Sequence, residues 1–281
     1  MRWNGNYIFC IIVLFNVMRA ESDLDMFRIK KTDTTFIVDP HERFGHRMME
    51  GTSEVMKETV ELHRNLFSVE SVRILTACAP LYVTARSVDH KLHAKFYDEK
   101  LHKNVNQPNA AACEAVEKGA IIGVVGLSSL AFFSSDEELR ITSRIFAIGA
   151  ASGLCAKNVI KKMRFKAGLR PWHEDFSSKE RSYGGFPSGH MFEAAYMTTV
   201  YGLQYGLKAG IPLGIFSSAM LGMSIACNRH YASQTVAGVA LGVMYGLAAH
   251  QLIERKIVEE TSIDFCSDDR GLPAVRLAYY F

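Results

Sequence analysis

The sequence predicts an all-α protein, a bundle of about five or six helices associated with a membrane. Three observations predict it. Apolar runs free of charge recur at 119–133, 145–156, 209–227 and 231–253, and the run 191–207 is broken only by Glu193 and Gln204. Their lengths suit membrane spans or long buried helices. No stretch alternates polar and apolar residues over a useful length, so no sheet is expected. Gly238, Gly242 and Gly246 recur every four residues, which lines them up on one helix face where a second backbone can approach closely. A soluble all-α domain would show the same glycine spacing. An apolar content of 48 % with mean hydropathy +0.03 is also low for a fully embedded bundle. Membrane association is the favoured expectation, and a soluble domain the alternative.

The elements follow in order. Residues 1–20 carry Arg2 and then the apolar core Tyr7–Val17, too short to span a bilayer comfortably; they read as a signal peptide, or as an N-terminal anchor. Ala20 suits a cleavage point and Met18 does not. Either reading takes the following chain out of the cytosol. Residues 21–68 form a polar, mixed-charge N-terminal region without clear periodicity, expected at the surface. A helical domain is expected over 69–255. It opens on a short apolar stretch at 70–90, followed by a polar, histidine-bearing segment that ends in the turn signal NQPN at 106–109. Residues 256–281 read as a C-terminal tail. A net charge of +3 gives no reason to expect nucleic acid. Six cysteines occur without a C-x-x-C pair, so no metal or redox motif is present. Without Cys10 an odd number remains, which implies a free thiol; Cys155 and Cys227 lie in apolar runs and read as core residues. His46, His63, His90, His93 and His102 show no metal-ligand spacing.

Three short pieces carry the chemistry. The second, PSGH at 187–190, meets the mouth of an apolar helix. Pro187 suits a helix entry, Ser188 an N-cap, and Gly189 a close backbone approach. The first-turn N–H groups and the helix dipole make an anion site there, to which Ser188 adds a hydroxyl and His190 an imidazole able to protonate a departing oxygen. Plain capping beside a chance histidine is the structural alternative. The first piece, KKMRFKAGLRP at 161–171, supplies cations, with Arg170 offering a planar fork for phosphate oxygens. The third, NRHYASQTVAG at 228–238, supplies His230, whose neutral ring could attack phosphorus and form a phosphohistidine. Gln234, one helical turn later, is the residue placed to accept a hydrogen bond from its other nitrogen.

Together the pieces resemble the signature of the type-2 phosphatidic acid phosphatase and vanadium haloperoxidase superfamily, K-x6-R-P, P-S-G-H and S-R-x5-H-x3-D, over residues 140–252. The resemblance implies a helical bundle whose phosphatases use no metal or other cofactor. It implies that Arg170, Ser188 and Gly189 bind phosphate, that His190 is the general acid and that His230 is the nucleophile. The partner would be a phosphorylated lipid or a small phosphate ester, met at a membrane on its non-cytoplasmic side or in the periplasm or outside the cell. The chain departs from the signature at three places. The lysine position falls on Met163, between Lys162 and Arg164, and Lys162 is taken as the substitute. The third motif's arginine falls on Ser224; Arg229 lies five positions on and would face elsewhere in a regular helix. The orienting aspartate is Gln234. The expected activity is therefore hydrolysis of phosphomonoester or pyrophosphate bonds. The alternative is an impaired relative that binds phosphorylated lipid, with vanadate-dependent halide oxidation as a third use of the same motifs.

Overall fold

The computed structural model describes residues 40–172, 181–260, 263–267 and 273–277. The reading of residues 1–20, and of 21–39, lies outside them. Seven α-helices stand among the described residues: α1 (Pro40–Leu66), α2 (Val69–His93), α3 (Ala110–Phe133), α4 (Glu137–Lys162), α5 (Gly189–Tyr205), α6 (Leu207–Ala226) and α7 (Ala232–Glu260). The helix beyond the expected count is α1. Its apolar positions fall at Val55, Leu62 and Leu66, close to helical spacing, and all three are buried, so one face of this surface helix packs into the bundle. Polar residues between them hid the pattern, and one of those is itself buried: Glu58 accepts a 2.6 Å hydrogen bond from Arg144 of α4.

Local signals set the helix starts. The Asn109 side chain accepts from Ala111 N at 2.9 Å to open α3, and Asp136 accepts from Leu139 N at 2.8 Å to open α4. Two short antiparallel pairs also occur. Tyr97–Asp98 (β1) faces Lys103–Asn104 (β2), and Ile263–Ser267 (β3) faces Pro273–Leu277 (β4). The second is a hairpin in the expected tail; strands of this length are too short to reveal themselves by alternation.

Helices α5 and α7 form the centre. The Gly238, Gly242 and Gly246 stripe of α7 lies against α5 so closely that a Cβ on Gly242 would stand 2.6 Å from the carbonyl oxygen of Phe192. Around this pair Phe146, Phe192, Tyr196 and Tyr245 pack as a buried aromatic group, Phe146 stacking on Tyr196 at 4.8 Å. Helices α3, α6 and α7 are long and apolar enough to cross a membrane, and α1 with α2 pass the same test as a pair bent by 51°. Much of the apolar surface of α3 and α6 faces outward, including Ile122, Ile211 and Ile215, as expected of helices whose solvent is lipid. The protein is thus an all-α membrane bundle, as the apolar runs predict.

A disulfide joins Cys113 at the start of α3 to Cys227 just past the end of α6, with Cα atoms 6.0 Å apart. Cys227 is buried as expected, but as half of a bridge. Among the described residues Cys155 and Cys78 are free thiols, and Cys155 is exposed rather than in the core.

Candidate active site

The three motif pieces come from distant parts of the chain and meet at one end of the bundle. Just past the 3₁₀ turn Lys166–Gly168, the chain runs antiparallel to residues 182–185: Arg170 N bonds Ser182 O at 2.9 Å, and Gly185 N bonds Gly168 O at 2.9 Å. This brings Arg170 beside the PSGH turn. Ser188 N in turn bonds the carbonyl of Gln234 at 3.0 Å, tying that turn to the first turn of α7. A pocket of about 460 Å³ opens where they meet. His190, His230, Arg170 and Gly189 all line it.

Ser188 occupies the N-cap position of α5, but its hydroxyl makes no capping bond. The side chain is fully buried, and its Oγ has no hydrogen-bond partner among the described residues. Gly189 leaves room for Lys157: a Cβ there would stand 2.8 Å from its ammonium, so that side chain would have to shift.

Lys162 does not reach the pocket; it is exposed on the last turn of α4. Lys157 and Lys161 line the pocket instead. They stand one turn apart on the same face of α4, and Lys162 is rotated about 100° away from them. The motif spacing misled because α4 ends at Lys162 and the rest of the interval is loop. A lysine pair four apart on a mostly apolar helix was the available signal.

Gln234 makes no hydrogen bond to His230. Its Nε2 donates to the carbonyls of Ala167 at 3.0 Å and Leu169 at 2.7 Å, and its Oε1 accepts from Tyr231 N at 3.2 Å. The orienting partner of His230 is the carbonyl of Gly185, 2.8 Å from Nδ1. A carbonyl only accepts, so Nδ1 carries the proton and Nε2 is left with its lone pair. No side-chain pattern could have disclosed a backbone partner.

Arg229 also lines the pocket, against the expectation that it faces elsewhere. Helix α6 ends at Ala226, and Asn228 takes a left-handed conformation with φ 55°, so the chain is no longer helical where Arg229 leaves it. Ser224 contributes only its carbonyl to this turn, accepting from Arg229 N and His230 N at 3.1 Å each.

Glu117 and Glu193 are the pocket's carboxylates, and Ile121, Val124 and Leu154 form an apolar wall. Glu193 lies 3.7 Å from Lys157, and Glu117 lies 3.7 Å from Arg229. Four cations outnumber two carboxylates, and the electrostatics follow. Burial, then Lys157, Lys161, Arg170 and Arg229, push His190 down to about 4. Burial, then Lys161, Arg170 and His190, hold His230 well below the usual imidazole range. Burial, Lys157 and Arg170 bring Lys161 down to about 7. The pocket therefore holds two neutral imidazoles among cations that outnumber its carboxylates. Among the described residues no cluster could hold a metal ion.

A search of curated proteins finds no match. A solved structure, a transmembrane PAP2 type phosphatidylglycerolphosphate phosphatase from Bacillus subtilis, aligns at 16 % identity, covering 62 % of this chain and 96 % of that one. Its TM-score of 0.31 is too low to transfer geometry. The family model of the PAP2 superfamily matches residues 142–257, an interval that holds all three motif pieces. That match agrees with the resemblance drawn from the motifs over residues 142–257.

Proposed function

We propose that the protein is a phosphatase that hydrolyses phosphate esters through a phosphohistidine at His230. One observation carries this reading above the others. His230 has Nδ1 committed to the Gly185 carbonyl, so the bare Nε2 of a neutral ring belongs to a pocket that also holds His190 and an excess of cations.

The reaction runs in two displacements. His230 Nε2 attacks phosphorus while the ester P–O bond breaks, and the departing oxygen takes a proton from His190. Burial and the surrounding cations keep His190 neutral, but a bound phosphate dianion offsets those cations and raises its proton affinity, so the imidazolium forms on binding. Water then gives a proton back to His190 and attacks the phosphohistidine; the P–N bond breaks and inorganic phosphate leaves. Arg170, the Gly189 N–H and the Ser188 hydroxyl hold the non-reacting oxygens. Lys157 and Lys161 add charge, in place of Lys162.

The substrate class that fits is a phosphorylated lipid. The apolar wall of Ile121, Val124 and Leu154 stands beside the cationic one, and α3, which carries Ile121 and Val124, is a membrane-length helix. The Cys113–Cys227 disulfide supports a site on the non-cytoplasmic side, because such bonds persist in oxidising compartments. The impaired-binder alternative loses part of its basis: Gly185 supplies the acceptor that Gln234 does not. A carbonyl carries no charge, however, so turnover below that of a carboxylate-oriented histidine is expected.

The test is a trapping experiment. The protein in detergent is mixed with phosphorus-32-labelled phosphatidic acid or a labelled soluble monoester and quenched. Acid-labile label on His230, absent from His230→Gln, is expected. No label on His230 at any pH with either substrate overturns the reading.

A further inference from the structure

We propose that Arg229 is a catalytic residue, the cation that grips the phosphate in place of the arginine missing at Ser224. The proposal rests on the phosphatase reading and assigns to that site a residue the motif does not contain.

The sequence position argues against Arg229, but the backbone overrides it. Continuing α6 through residue 229 would carry Arg229 away from the pocket. The left-handed Asn228 breaks the helix instead, in a region of backbone space that asparagine tolerates better than most residues. This unusual turn is held from several sides. His93 Nδ1 lies 2.7 Å from Asn228 Oδ1, and Asn228 Nδ2 donates to the carbonyl of Trp172. The Cys113–Cys227 bridge anchors the preceding residue. The result puts the Arg229 side chain into the pocket immediately before His230 in the chain.

The charge arrangement indicates what the guanidinium does there. Its Nε lies 3.7 Å from Glu117 Oε1, an ion-pair distance but longer than a charge-assisted hydrogen bond. Glu117 thus stands within ion-pair distance of the cation, and a phosphate would offer the planar fork two oxygens at once. An arriving phosphate meets Arg170 and Arg229, two planar forks from different loops. Equatorial oxygens gain charge in the transition state, so such a contact acts on kcat as well as on binding.

A rival account is that Arg229 merely neutralises Glu117, which would otherwise repel the substrate. The pair of variants Arg229→Gln and Arg229→Gln with Glu117→Gln separates the two. Hydrolysis of phosphatidic acid is measured along with binding of inorganic phosphate by calorimetry. Under the proposal Arg229→Gln lowers kcat/KM by about 10²–10³, weakens phosphate binding, and the double variant stays low. Recovery of the double variant to within about threefold of the parent overturns the proposal, as does an unaltered Arg229→Gln. Should Arg229→Gln not fold, Arg229→Lys keeps the charge and removes the fork; about a tenfold weaker phosphate affinity is expected, and parent-like affinity overturns the proposal. If the parent shows no turnover, the phosphatase reading fails while phosphate binding by parent and variants still decides the role of Arg229.

Discussion

At the scale of single residues, His190 makes the site sensitive to pH in a defined direction. Its folded value of about 4 lies below the 6.5 of an ordinary imidazole, so between those values the unfolded chain binds more protons. The protein should therefore lose stability as pH falls from about 6.5 towards 4, and His190→Gln should flatten that loss in thermal melts. Anion binding runs the other way. Sulfate stays a dianion near neutrality, and its arrival should reprotonate His190 and Lys161, so its affinity should rise as pH falls from 8 to 6. His190→Gln and Lys161→Met should each remove part of that slope, and an unchanged slope in both would show that neither group takes up the proton. Gln234 gives a second expectation. Gln234→Asp should not raise turnover, because the aspartate would leave the carbonyls of Ala167 and Leu169 without donors, at a cost of roughly 1–3 kcal/mol. A lowered melting temperature with no gain in activity is expected; a gain would show that the aspartate can reach His230. The sequence disclosed His190, His230, Arg170 and Gly189 because each sits inside a contiguous motif. It misplaced the choice between Lys161 and Lys162, and it concealed Arg229 and the Gly185 carbonyl, because helix phase, a left-handed turn and a backbone atom decide those positions.

At the scale of elements, the α5–α7 contact links packing to chemistry. The glycine stripe was legible from its spacing alone; its partner was not. A Cβ on Gly238 would stand 2.6 Å from the carbonyl oxygen of Ser188, the first residue of the SGH turn, whereas one on Gly246 would press 2.5 Å from Thr199 Cβ, far from the pocket. Both Gly→Ala variants should destabilise by roughly 1–3 kcal/mol through overpacking. Only Gly238→Ala should also weaken phosphate binding; equal binding in the two would show that the stripe does not position the site. Helix α1 was illegible because its inward face includes Glu58, a charge that reads as surface until Arg144 is seen beside it.

At the scale of the whole molecule, the bundle's reactive end is fastened where helices α3 and α6 are covalently joined, while their outward faces are left to the lipid. Replacing Cys113 and Cys227 by serine should lower melting temperature, by the equivalent of about 2–4 kcal/mol, and should depress kcat more than it raises KM, since the bridge steadies the turn that aims Arg229 and His230. Parent-like kinetics in that variant would show the bridge to be a scaffold for the bundle alone. A further consequence concerns the life of the chain before it reaches its destination. A freshly synthesised copy in a reducing compartment would lack the Cys113–Cys227 bridge. Were the site to face an oxidising compartment, as proposed above, closing that bridge would act as a maturation step for the turn that carries Arg229 and His230.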